Sequence, residues 1–135
     1  MSNHSFATAI NCIDGRTQIP VAQWMKANLA VEFVDMITEP GADKAVAEGY
    51  LQFRETLRSK VMVSVNAHGS RVVAIVAHHD CAGNQVSRED HLLMLRKGVE
   101  TVKGWNAPVR VLGLWVNSSW QVEKIVDTGE QRGEA

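Results

Sequence analysis

The sequence predicts an α/β fold: a three-layer sandwich with a mostly parallel central sheet, in one domain. Three observations predict it. Four short runs are rich in Val, Ile or Phe, amphipathic helical stretches lie between them, and 135 residues suffice for one hydrophobic core but not two. Strand alternating with helix implies right-handed crossovers between parallel strands, and such sheets bind ligands beyond the strands' carboxyl ends, where the strand order reverses.

The elements follow in order. Ser5 to Asn11 reads as the first strand, and Pro20 suits the first turn of the helix after it, with Val21, Trp24, Met25 and Leu29 on one face. Phe33 to Thr38 is the second strand. After the turn-forming Pro40-Gly41, the residues Val46, Tyr50, Phe53 and Leu57 make a second helical stripe. Val61, Val63 and Val65 alternate like a strand, but Val61, Met62 and Val65 also fit a helix stopping at His68-Gly69, and a helix is expected because a crossover must precede the next parallel strand. Arg71 to Ala77 is the third strand and Val109 to Val116 the fourth. Between them Ser87 and Asp90 form a capping box ahead of Leu92, Leu95, Val99 and Val102, with Trp105 and Pro108 marking the helix end. One domain over 1–135 is expected, with a loose polar tail over 127–135.

Composition excludes several partners. A net charge of -1 offers no electrostatic footprint for nucleic acid or an anionic membrane, and no stretch approaches the ~20 apolar residues that span a bilayer. MSNHSFATAI lacks a basic region followed by a long apolar stretch, so a cytoplasmic location is expected and Asn117-Ser118-Ser119 is read as a chance sequon. Two cysteines in a reducing compartment suit a thiolate ligand or nucleophile better than a disulfide.

Those cysteines sit at strand ends. Cys12 follows the first strand and His78-His79-Asp80-Cys81 follows the third, so neighbouring strands would bring both groups to one crevice. Thiolate and imidazole suit zinc, and Cys12, His78 and Cys81 would leave a fourth tetrahedral position open. His79 points elsewhere, because adjacent residues leaving a strand rarely face one point.

Cys12-Ile13-Asp14-Gly15-Arg16 matches a Cys-x-Asp-x-Arg motif, and His78 to Cys81 matches His-x-x-Cys. In this order, each after a strand, the two motifs resemble those of the β-class carbonic anhydrases, and the strand and helix pattern extends the resemblance over roughly residues 5 to 126. The resemblance implies that Cys12, His78 and Cys81 are zinc ligands and that Asp14 and Arg16 are a catalytic dyad. It implies a sheet in the order 2-1-3-4 and a homodimer or higher homo-oligomer. It also implies reversible hydration of carbon dioxide to bicarbonate by zinc-bound hydroxide. Asp14 would accept a hydrogen bond from that hydroxide while Arg16 holds the carboxylate off the metal; released by Arg16, Asp14 would become the fourth ligand and close the site, as in the family's closed state.

The chain departs from the family pattern at three places. Thr38-Glu39-Pro40-Gly41-Ala42 stands where members carry an Asn-Ala-Gly type turn, Ala82 stands where Gly often follows the second Cys, and the N-terminal helical arm is missing. The altered pocket leaves two alternatives with zinc retained: hydrolysis of carbonyl sulfide or carbon disulfide, and a non-catalytic zinc domain. A cysteine-nucleophile enzyme fits less well, since its oxyanion loop needs five residues between Cys and Arg, whereas Cys12 to Arg16 encloses three and Cys81 to Arg88 six.

Plainer readings stand beside these. Either cysteine alone reads as a small core hydrophobe, and Asp14 with Arg16 also fits a turn with a surface ion pair. His79, Asp80 and His91 are candidate proton shuttles, while His4, His68 and His91 also read as surface or cap residues. Gly83 and Asn84 give the backbone freedom after the metal turn. Trp24, Trp105, Trp115 and Trp120 read as core or interface anchors.

Overall fold

The structure, a computed structural model, describes residues 5–129. His4 and the tail beyond Gly129 lie outside the described residues. Among the described residues, five strands form one sheet in the order β2-β1-β3-β4-β5. They are β1 (Phe6–Asn11), β2 (Phe33–Thr38), β3 (Val72–His78), β4 (Arg110–Val116) and β5 (Val122–Asp127), with α1 (Gly15–Leu29), α2 (Ala42–Glu48), α3 (Leu51–His68) and α4 (Arg88–Lys103) between the first four. β1 pairs in parallel with β2 and β3, and β3 with β4. The strand order reverses between β1 and β3, as the crevice argument requires.

Alternation along the buried strands builds two cores. Val73, Ile75 and Ala77 of β3 point to one face with Val111 and Trp115 of β4, against Val46, Leu57, Val61, Leu95 and Val99 of α2, α3 and α4. Ala74, Val76, Leu112 and Leu114 point to the other face, against Val21 and Met25 of α1. Small residues bring the layers close: a Cβ on Gly98 of α4 would lie 3.2 Å from Ile75 Cδ1 and 3.4 Å from Val46 Cγ1.

Several elements differ from their expected form. α1 starts at Gly15 rather than Pro20, because Asp14 caps it: Asp14 Oδ1 accepts the Arg16 N–H at 2.9 Å. Pro20 therefore lies inside the helix, where it lacks the N–H that would reach the Arg16 carbonyl. The stripe Val46, Tyr50, Phe53, Leu57 is split between two helices. Gly49 is extended, a Cβ there would meet Ala45 O at 2.4 Å, and Tyr50 is 88% exposed at the start of α3 instead of packed. The ambiguous valines are helical, and α3 ends at His68 with Gly69 in the left-handed region.

β5 was not expected. It runs antiparallel to β4, and a register shift opposite Gly113/Leu114 leaves Ile125 outside the ladder, so Val-Glu-Lys-Ile-Val-Asp does not alternate. The start of the expected tail is therefore structured. Asp127 ends β5 with its side chain fully buried, accepting from Arg110 Nε at 2.8 Å and from Lys124 Nζ at 2.9 Å.

Hydrogen bonds from Arg110 hold the Asp127 carboxyl far below the usual carboxylate range, Lys124 adding to them against the opposing effect of burial. A depressed folded pKa stabilises the fold above the unfolded value of about 3.9, and that contribution is lost as pH falls below it. Asp127→Asn is expected to cost about 1–3 kcal/mol at pH 7. In urea unfolding series its deficit should shrink as the pH is lowered through 4; a deficit independent of pH would contradict this.

Candidate metal centre

β1 and β3 deliver the two sequence motifs to one point. Cys12 is the first residue beyond β1, His78 is the last residue of β3, and a turn with Asp80 in the left-handed region (φ 58°) returns Cys81 to the same side. The ligating atoms of Cys12, His78 and Cys81 all lie within 4.8 Å of one another, and all three residues are buried. The two Sγ atoms are 4.0 Å apart.

The donor set fits a zinc ion. His78 Nδ1 lies 2.6 Å from the His79 carbonyl oxygen, to which it donates, leaving Nε2 as the atom with a free lone pair. Nε2 is buried and, among the described residues, has no hydrogen-bond partner, an arrangement that is costly unless something else occupies the space before it. Sulfur, sulfur and imidazole nitrogen are the donors zinc prefers.

The electrostatics point the same way. A hydrogen bond from Cys81 is the largest influence on Cys12, lowering its pKa to about 4 against the opposing effect of burial, with His78 and the backbone N–H groups of Gly41 and Asp14 helping. Cys81 is pushed up, because its hydrogen bond to Cys12 favours the protonated form and burial adds to it, although the N–H groups of Gly83 and Asn84 face its sulfur. Burial opposes a charged His78 ring, but Cys12, the His79 carbonyl and Asp14 outweigh it and raise the pKa. Two thiols this close cannot both ionise alone; a divalent cation between them removes the conflict.

Asp14 and Arg16 flank the cluster. Arg16 grips the carboxylate with Nε 3.0 Å from Oδ1 and Nη2 2.6 Å from Oδ2, and Oδ2 lies 4.0 Å from His78 Nε2. Hydrogen bonding from Arg16 is the main reason the Asp14 carboxyl is lowered to about 2, despite some burial. Arg16 also reaches the Asp80 carbonyl at 3.2 Å, and its guanidinium carbon lies 4.4 Å from the centre of the Trp120 ring. A cleft of about 440 Å³ opens beside Arg16, Asp80, Cys81 and Asn84.

The turn following β2 completes the site. A Cβ on Gly83 would lie 2.6 Å from Gly41 N and from the Pro40 carbonyl carbon, so the 40–41 and 82–84 loops pack backbone on backbone. Behind them Asp43 is buried, with His91 Nδ1 2.7 Å from its Oδ2 and the Asn84 amide donating to both oxygens at 3.2 and 3.1 Å. The surface or cap reading of His91 is thus corrected: it is 2% exposed, and its ring lies tilted against Trp115 with centroids 5.3 Å apart. Asn84 is a structural tie rather than a source of backbone freedom. Gly83 is needed for close approach, not for a positive φ. His68 is half-exposed in the last turn of α3 and pairs with Asp35 at 2.6 Å. His79 and Asp80 are exposed. Of the tryptophans, Trp115 is core, while Trp120 lies over Arg16.

His91→Leu removes one partner of the buried Asp43 carboxyl. The expected cost is about 1–3 kcal/mol in urea unfolding, and a variant as stable as the parent would contradict the pairing.

Asn11 also escaped sequence reasoning. Its buried side-chain oxygen accepts the Cys12 N–H at 2.8 Å and the Thr17 hydroxyl at 3.3 Å, fixing the chain as it leaves β1. A polar residue within an apolar run was the available signal.

The fold and this cluster together define a chain of the β-carbonic anhydrase type. A family model described as "Putative carbonic anhydrase" matches residues 2–126, and the chain belongs to that family as a divergent member of the β class. No curated protein sequence matches it. Among solved structures it is similar to a carbonic anhydrase from Glaciozyma antarctica, at 17% identity and a TM-score of 0.55 over 88% of this chain and 81% of that one. It is also similar to one of two tetrameric β-carbonic anhydrases from Sordaria macrospora, at 11% identity and a TM-score of 0.54 over 93% of this chain and 83% of that one. The β-carbonic anhydrase CafA of Aspergillus fumigatus matches at 16% identity and a TM-score of 0.50 over 97% and 81%. At these identities the likeness is one of fold.

Proposed function

We propose that the chain is a zinc-dependent carbonic anhydrase that reversibly hydrates carbon dioxide to bicarbonate and a proton. The observation that carries this is the buried, unpartnered His78 Nε2 facing two cysteine sulfurs beside an arginine-held carboxylate. Cys12, His78 and Cys81 would hold the metal. Zinc supplies Lewis acidity, lowering the pKa of water far below its bulk value of about 15.7.

The chain's own residues supply the rest. The His79 carbonyl fixes the His78 ring so that Nε2 faces inward. N–H groups of Gly41 and Asp14 at one sulfur, and of Gly83 and Asn84 at the other, stabilise the thiolate forms. Asp14, ionised by its pairing with Arg16, is the acceptor that orients the attacking water toward substrate; Arg16 keeps that carboxylate in place. The cleft beside Arg16 and Cys81 admits a small linear molecule.

The whole chain acts as one catalytic domain in the cytoplasm, where its cysteines stay reduced. Among the described residues, no helix is long and apolar enough to cross a membrane. A homo-oligomer, dimer or larger, is expected from the tetrameric Sordaria relatives, and equilibrium sedimentation tests it.

Side-by-side turnover of carbon dioxide, carbonyl sulfide and carbon disulfide by zinc-loaded protein tests the function. Carbon dioxide should be the preferred substrate. Preference for a sulfur compound would reassign the substrate, and zinc-loaded protein inert toward all three would leave a non-catalytic zinc domain.

A further inference from the structure

Among the described residues, four non-glycine ones have φ in the left-handed region: Ala30, Asp80, Asn106 and Trp120. Ala30 and Asn106 follow helix ends, where that conformation is common. Asp80 and Trp120 lie elsewhere, in the turns after β3 and β4, and both touch Arg16. Aspartate tolerates the left-handed region, but a bulky tryptophan at φ 59° is strained and persists only where its surroundings hold it.

The surroundings of Trp120 are well tied. Its N–H donates to the Asn117 carbonyl at 2.9 Å, while the Asn117 side-chain oxygen accepts from the N–H groups of Ser119 at 2.9 Å and Gln121 at 3.0 Å. The Asn117 amide is anchored in turn on Glu123 at 2.9 Å. None of these bonds uses the indole, and glycine would make the same turn without strain. The indole instead goes over the Arg16 guanidinium, 4.4 Å from its carbon, and approaches the rings of His78 and His79 with centroids 6.4 Å away.

Arg16 needs such support. Its side chain is 47% exposed, and an exposed ion pair alone biases an equilibrium by no more than about fivefold. Asp80 contributes its carbonyl, 3.2 Å from the same Nη2 that holds Asp14, and its carboxylate, 3.4 Å from Nη1. Asp14 has an alternative to Arg16. Its Oδ2 is already 4.0 Å from His78 Nε2, and a carboxylate is itself a good zinc ligand.

We infer that Trp120 and Asp80 are positioning residues that clamp Arg16 onto Asp14 and thereby keep the Asp14 carboxylate from taking the metal's fourth position. The inference rests on the proposed zinc site, and it assigns the β4–β5 turn a part in holding that site open.

Cobalt(II)-loaded protein tests it, because the visible d–d absorption reports the ligand set and added azide binds only where a position can be exchanged. Wild-type protein should respond to azide. Trp120→Gly, which also relieves the strained φ, should bind azide about fivefold more weakly while unfolding at no lower temperature than wild type. Trp120→Phe, which keeps an aromatic face, should recover most of the affinity, and adding Asp14→Ala to Trp120→Gly should restore it by removing the competing carboxylate. Asp80→Asn, which suits the same backbone conformation, should weaken azide binding in the same direction.

Azide affinity unchanged in both Trp120→Gly and Asp80→Asn would overturn the clamp while leaving the metal site standing. Wild-type protein that takes up no cobalt would overturn the metal reading itself, and the clamp with it.

Discussion

Asp14→Asn protein is expected to keep its fold and its zinc, yet to hydrate carbon dioxide about 100-fold or more slowly than wild type. Asparagine caps a helix as well as aspartate, so the contact from the Arg16 N–H that starts α1 at 2.9 Å survives the change. What disappears is the negative charge. Arg16 now approaches both carboxylate oxygens with Nε and Nη2, a charge-assisted fork that a neutral amide cannot reproduce. The carboxyl, lowered to about 2 chiefly by Arg16, is an acceptor throughout the neutral range, whereas the amide presents a donor on one side. Stopped-flow hydration, zinc content and thermal unfolding, measured together on both proteins, separate a lost acceptor from a lost metal or fold. An unchanged rate would remove Asp14 from the chemistry and leave it a cap with a surface ion pair.

Gly83→Ala is expected to produce the second large effect. The added Cβ would lie 2.6 Å from two backbone atoms, Gly41 N and Pro40 C, and neither can rotate aside. Gly41 is itself at φ 64°, and a Cβ there would meet the Gly83 carbonyl oxygen at 2.8 Å, so the two loops approach as closely as backbones can. Prying them apart should cost about 1–3 kcal/mol of stability. It should also reach the metal, because the Gly41 N–H faces Cys12 and those of Gly83 and Asn84 face Cys81. Zinc affinity in a chelator competition should fall about 10-fold or more. Wild-type stability and affinity together in this variant would mean that the loops do not meet as described.

The site was more legible in the sequence than its supports were. Cys12, Asp14, Arg16, His78 and Cys81 could be picked out because chemistry restricts residue type at a ligand or dyad position, and because each group follows a strand whose apolar run is plain. Parallel strands buried on both faces are the easiest elements to see, and β3 and β4 lie within a residue of the bounds expected of them. The supports involve partners far apart in the chain. Asp43 meets His91 across 48 residues, and no local pattern marks a buried pair of that kind. His91 looked like a surface residue because it follows Arg88, Glu89 and Asp90 in the polar first turn of α4.

Local signals also misled where two of them competed. Pro20 fits a first helical turn, but Asp14 caps earlier, and the capped start moves the proline one turn inward. The stripe through Tyr50 has helical spacing, yet Gly49 breaks the helix in its middle. In β5 the register shift removes the alternation by which an edge strand is recognised. Trp120 was read only as a core or interface anchor, and its contact with Arg16 escaped for a related reason: nothing in Asn-Ser-Ser-Trp-Gln announces a left-handed tryptophan, and only the folded turn puts its ring over Arg16.

The most direct measurement is zinc per chain in protein purified without added metal, beside a Cys81→Ser control. About one zinc per chain, absent from the control, is the result predicted by a buried Cys12–His78–Cys81 cluster whose imidazole Nε2 has no hydrogen-bond partner among the described residues. Well-folded wild-type protein without zinc, and unable to acquire it, would contradict the metal centre and the catalytic reading built on it.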